Sequence, residues 1–186
     1  MRLKRWSFVS LIWLSAGLGV SLAGPLQELS VLFAMKVDQA PVLDGKLDDA
    51  CWAKAPEYTR YRHRRGNNPQ KSGLKALWDD KGLYLGIINY EKDLAALKAE
   101  VRLRDGEKIW ADDSAEIYID PTTTGYSFYR FDVNSLGAIH DYWRTDPGFT
   151  DWGWSASLVN AACGKTKDAW VIEFFISWAD LKKTPN

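Results

Sequence analysis

Two cysteines, two histidines and two methionines are all that the 186 residues contain, and each shortage narrows the field. A haem-binding or electron-carrying sandwich would draw its ligands from Met and His. Beyond the first residue only Met35, His63 and His140 are available, and Met35 lies in the apolar run 31–37, where a core role is expected. An excess of charge is missing too, since 24 basic residues balance 24 acidic ones. Without a basic surplus, nucleic acid is not an expected partner. Arg60, Arg62, Arg64 and Arg65, with His63 among them, are a local exception. No second cluster accompanies them, so they read as a solvated strand or loop edge. Internal repeats, low-complexity tracts and interdomain linkers are also lacking.

The apolar run at 6–20 falls short of the ~20 residues that cross a bilayer. Arg2, Lys4 and Arg5 precede it and Ser21-Leu22-Ala23 follow, so residues 1–23 read as a cleaved secretory signal. Cleavage leaves residues 24–186, a chain of 163 residues with a formal charge of −3, enough for one ordinary core. The expected product is secreted, periplasmic or at the cell surface, with no membrane segment after cleavage. Such compartments permit disulfides, but Cys51 and Cys163 would serve equally as small buried thiols, and the sequence leaves the pairing open.

What the mature chain has in quantity is short alternating runs separated by turn residues, the pattern of an all-β protein. Residues 74–79 and 83–90 flank Asp80-Lys81-Gly82, whose glycine suits a left-handed hairpin turn. Residues 114–120 put Ala115, Ile117 and Ile119 on one face and Glu116, Tyr118 and Asp120 on the other. Further strands are expected at 126–134, 138–144, 155–161 and 169–176. Two short helices are expected: 47–53, capped by Asp44 or Asp48, and 93–101, with Leu94, Leu97 and Val101 at helical spacing. The expectation is an antiparallel β-sandwich with short helical decorations.

Eight tryptophans lie beyond residue 24, more than a core of this size needs. Trp52, Trp78, Trp170 and Trp178 have apolar neighbours and are expected to fill the core. Trp110 instead precedes a strand in the acidic segment 110–120, where a loop-borne indole can face solvent and stack on the C–H face of a pyranose. If the hairpin turn is 121–125, Asp120 pairs with Tyr126 and Glu116 lies opposite Arg130 on the same face. A carboxylate beside a guanidinium matches sugar hydroxyls, which both donate and accept. A one-residue change of register would send Arg130 to the opposite face.

The segment Trp110-Ala111-Asp112-Asp113-Ser114-Ala115-Glu116-Ile117-Tyr118-Ile119-Asp120 resembles the signature of family 9 carbohydrate-binding modules. Further similarity lies in 40–52, including Asp44-Gly45 and Trp52, in 77–85, in Arg130-Phe131-Asp132-Val133-Asn134, and in 170–181. The resemblance runs from Pro41 to the C-terminus. It implies a jelly-roll-like β-sandwich that binds the ends of plant polysaccharides such as xylan and cellulose, or small soluble sugars, without hydrolysing them. It also implies that Trp110 forms one wall of a sugar slot and that Glu116 and Arg130 bond the sugar, with Asp113 and Asn134 as further candidates. Structural Ca2+ occurs in the family, and Asp112, Asp113 and Asp120 are acidic loop residues here, but no metal ligand can be assigned from spacing. The resemblance places a second wall tryptophan beyond Leu181, and this sequence stops at Asn186. The expectation is therefore a partial sequence or truncated product, with closing strands and half of the slot absent.

Two other readings compete. A glycoside hydrolase, or a fragment of one, would use Asp113 and Glu116 as acid and base. Both lie near one strand end, whereas catalytic carboxylates flank the scissile bond from separate elements. A structural cell-surface domain would make Glu116 and Arg130 an ordinary ion pair. Oligomeric state is not legible.

Overall fold

Period-two alternation produces two sheets that share one core. A computed structural model describes residues 32–59, 71–145 and 148–182. The signal reading at 1–23 and the basic cluster 60–65 with His63 lie outside the described residues. The first sheet contains β1 (Met35–Lys36), β2 (Ser72–Trp78), β3 (Gly82–Tyr90), β8 (Asn160–Lys165) and β9 (Ala169–Ser177), in the order β1-β2-β3-β9-β8. The second contains β4 (Ser114–Ile119), β5 (Phe128–Asn134), β6 (Ile139–Thr145) and β7 (Phe149–Asp151), in chain order. Pairing is antiparallel except between β1 and β2, which run parallel. The all-β sandwich read from the sequence is what forms.

Ile117 and Ile119 of β4, Tyr129, Phe131 and Val133 of β5, and Ile139 of β6 face Leu83, Leu85 and Ile87 of β3 and Ile172, Phe174 and Ile176 of β9. Phe131 and Phe174 meet across the two sheets with ring centroids 5.2 Å apart. The outer face of the five-stranded sheet is covered as well. Val37, Trp52 and Ala55 form a second cluster over Leu77 and Tyr84, with Leu43 and Leu47 against it. Gly86 permits this, because a Cβ there would lie 2.8 Å from Leu47 and 3.2 Å from the Trp52 ring. Burial on both faces explains why β3 reads as an almost unbroken apolar run. Among the described residues, the outer face of β4-β5-β6-β7 is the one sheet face without a covering cluster.

Glu173 locks the covering segment in place. Its buried carboxylate accepts the Asp44 and Gly45 amides and the Trp52 indole N–H, each at 2.9 Å. Gly45 holds φ +84°, and its own carbonyl crosses so close to Gly164 that neither position has room for a side chain. Asp180 does the same work at the other end. It accepts the Ser157 and Leu158 amides and the Ser157 and Ser177 hydroxyls, tying the 3₁₀ turn Asp180–Lys182 to the segment before β8.

Several local expectations are corrected. Residues 47–53 do not make an α-helix: a 3₁₀ turn spans Ala50–Lys54, its N-cap Asp49 makes no side-chain capping bond and accepts the Val42 amide, and Asp44 bonds Lys46 instead. Residues 93–101 are not helical, since the backbone N–H groups of Lys98, Glu100 and Val101 donate to the carboxylates of Asp113 and Asp112 rather than up a helix. The strand expected at 155–161 begins only at Asn160, because Asp180 takes the amides before it. Gly82 is not left-handed; a Cβ there would collide with the Ile176 carbonyl and the Phe175 ring of β9. Met35 lies on the edge strand, 40% exposed, rather than in the core. Cys51 and Cys163 are free thiols, with Cys163 donating to the Asn134 carbonyl at 3.4 Å and burial pushing its thiol up to about 12.

Candidate functional site

Alternation along β4, β5 and β6 decides which side chains reach the open face. Glu116, Asp132 and His140 form one row across it, and Tyr118, Arg130 and Tyr142 the next. The register corrects the sequence expectation. Glu116 pairs with Asp132 and Tyr118 with Arg130, a shift of two residues from the expected opposition of Glu116 and Arg130. Asp120 causes the shift. Its carboxylate accepts the amides of Thr122, Thr123 and Gly125 and the Thr122 hydroxyl, making a longer loop than the expected tight turn. Because a shift of two preserves faces, Glu116 and Arg130 still meet, on the diagonal, with Nη2 to Oε1 at 2.9 Å.

Arg130 is the hub of this face. Its Nε donates to Asp132 Oδ1 at 2.9 Å and its Nη1 to the Tyr142 hydroxyl at 3.2 Å. The guanidinium also lies between the Tyr118 and Tyr142 rings, 5.4 and 5.5 Å from their centroids. With three of its five N–H groups engaged, two are left for a further acceptor. Glu116 is held from both sides, since its Oε2 accepts the Tyr118 hydroxyl at 2.9 Å. Burial pushes the Tyr118 hydroxyl up to about 12, with the Glu116 bond adding to it. Burial also pushes the Asp132 carboxyl up, against the pull of Arg130. Arg130 is raised despite burial, because Tyr142 and Asp132 hold its charge.

Trp110 lies in the turn that leads into β4. The 3₁₀ turn Ile109–Ala111 lies against β4 and β5, anchored by the buried Ile109, while the Trp110 side chain points outward and is 67% exposed. Asp112 fixes the turn from behind by accepting the Glu100 and Val101 amides and Asn134 Nδ2.

Asp113 and Asn134 do not reach the open face. Asp113 accepts the Lys98 amide at 2.6 Å, turned toward the 98–101 segment. Asn134 is fully buried, its Nδ2 donating to the Val101 carbonyl and Asp112 and its Oδ1 accepting the Leu136 and Ala138 amides. All four of its bonding positions are used. The calcium expectation fares similarly. Both oxygens of Asp112 and of Asp120 and one of Asp113 accept neighbouring N–H or O–H groups, and among the described residues no three His, Cys, Asp or Glu side chains converge as a metal site.

Asp132, Tyr142 and Trp152 belong to the face and were missed by sequence reasoning. The signal was available: once β5 and β6 are aligned, the same alternation that selects Arg130 selects Asp132, His140 and Tyr142. Trp152 follows β7, a strand too short for pattern to reveal.

Comparison with known proteins identifies the class. A family described as "Carbohydrate family 9 binding domain-like" matches residues 43–186, and the chain belongs to it. It is a family of non-catalytic binding modules. Endo-1,4-beta-xylanase A of Thermotoga neapolitana is 27% identical over 165 residues, covering 88% of this chain and 14% of that protein. Exoglucanase XynX of Acetivibrio thermocellus is 24% identical over 162 residues, covering 87% and 13%. The chain thus spans about one seventh of the curated relatives it matches. A family 9 module from Caldicellulosiruptor kristjanssonii, solved with cellotriose, superposes with a TM-score of 0.53 at 21% identity, over 83% of this chain and 70% of that one. The same module with glucose gives 0.54, at 21% identity over 83% and 72%. At that identity the likeness establishes the fold.

Proposed function

We propose that the open face of the four-stranded sheet binds carbohydrate without cleaving it, with Trp110 stacking on a sugar ring and Glu116 and Arg130 bonding its hydroxyls. The observation that carries this reading is a carboxylate–guanidinium pair held in position on the open face, with two N–H groups of Arg130 still available, and an exposed indole on the turn that leads into β4. Family membership and relatives named as xylanases and an exoglucanase support it. Ends of plant polysaccharides such as xylan or cellulose, and small sugars derived from them, are the ligand class. We further propose that residues 24–186 act as one module outside the cytoplasm after removal of the leader 1–23.

Titration with glucose, cellobiose and xylobiose, followed by tryptophan fluorescence, tests the reading. Wild type is expected to show saturable change with at least one of these sugars, and Trp110→Ala to weaken it about tenfold or more. No change with any sugar contradicts the proposal.

A further inference from the structure

Trp152 is the other widely exposed tryptophan among the described residues, 67% accessible. It is not a free surface indole. Its ring lies 4.6 Å from Tyr142 and 6.4 Å from His140, centroid to centroid, and the turn after it is fixed by the Gly153 amide donating to Asp151. Trp143 pairs with Asp151, so continuing that register brings residue 152 alongside Tyr142. Tyr142 in turn accepts a bond from Arg130. A continuous row therefore crosses the sheet: Tyr118 with Glu116 on β4, Arg130 on β5, Tyr142 on β6, and Trp152 beyond β7.

Three strand spacings of ~4.8 Å make that row ~14 Å long, more than the width of one pyranose ring. Its charges balance, with Glu116 and Asp132 against Arg130 and Arg144, which suits a neutral ligand. Aromatic surface at the far end and paired polar groups between suit a chain of sugars better than a single one.

Resting on the carbohydrate-binding reading above, we propose that this face takes an oligosaccharide lying across the strands, with Trp152 as a second stacking platform distinct from Trp110. Arg130 and Tyr142 join the two ends of the row, so one bound chain spans both.

Calorimetric titration of wild type, Trp152→Ala and Trp152→Phe with glucose, xylose, cellotriose and xylotriose tests this. Trp152→Ala is expected to weaken trisaccharide binding about tenfold while monosaccharide affinity changes less than about twofold. Trp152→Phe is expected to restore most of the loss, which separates a missing ring from a disturbed fold. Unchanged trisaccharide affinity in Trp152→Ala, or an equal loss for mono- and trisaccharides, overturns the second platform and leaves the Trp110 site standing. Absence of binding by wild type to all four sugars overturns both.

Discussion

The face owes its order to Arg130. Only about a fifth of its side chain is exposed and its partner Asp132 is almost wholly buried, so the pair is shielded from the screening that makes surface ion pairs weak. Removing the guanidinium would leave the Asp132 carboxylate buried without its counter-charge, and Glu116 without its diagonal partner. Arg130→Ala is therefore expected to cost about 3 kcal/mol in denaturant unfolding and to abolish measurable sugar binding. Arg130→Lys keeps the charge but not the three-way fork, so stability should fall less while binding remains poor. A lysine variant with wild-type affinity would show that the fork is not used.

How far this was legible follows from the same residues. Period-two alternation put Glu116 and Arg130 on one face and survived the error in register, since a slip of two residues preserves faces. The register itself was not legible, because Asp120 closes its loop with bonds to Thr122, Thr123 and Gly125 that no spacing rule announces. Asp113 and Asn134 entered as candidates because they are polar residues of the segments that carry the family resemblance. Their oxygens and nitrogens instead satisfy backbone groups of 98–101 and 136–138.

Between elements, polar side chains act as fasteners. Glu173 on β9 looks misplaced in an apolar strand until the Asp44, Gly45 and Trp52 N–H groups are seen converging on it. Much of the 40–52 motif that carries the family likeness is thus the other half of a fold-closing contact, remote from the open face. Glu173→Ala leaves three donors without their acceptor and is expected to cost about 3 kcal/mol, read as a lower urea midpoint. Exchange of the Asp44 and Gly45 amides should accelerate with it. Undiminished stability would mean that water replaces the carboxylate at no cost. The failed helix at 93–101 has a related cause. Leucines at helical spacing describe a possible face, but Asp112 and Asp113 compete for the amides that a helix would need.

For the whole molecule, buried carboxylates give the pH dependence its sign. Burial pushes Asp132, Asp141 and Glu173 above the ordinary carboxylate values of 3.8 and 4.5. Folding then favours their protonated form, so their contribution is complete below those values and is lost as pH rises through the raised ones. Asp112, Asp120 and Asp180 go the other way: burial pushes them up, but amide, hydroxyl and Asn134 bonds outweigh it and hold them below 3.8. Their contribution is present above 3.8 and lost as pH falls through the lowered values. Stability should therefore peak on the mildly acidic side. A urea midpoint higher at pH 5 than at pH 8 is expected, and a midpoint that climbs steadily toward pH 8 contradicts this assignment.

We propose that sugar binds on the open face of β4-β5-β6-β7. Nuclear magnetic resonance reads this directly, by following each tryptophan Nε1–H and the Arg130 Nε–H while cellotriose is added to the labelled protein. The Trp110, Trp152 and Arg130 signals are expected to move, with the Trp52 indole, bonded to Glu173 on the far sheet, standing still. Movement of Trp52 with the other three unchanged would contradict it.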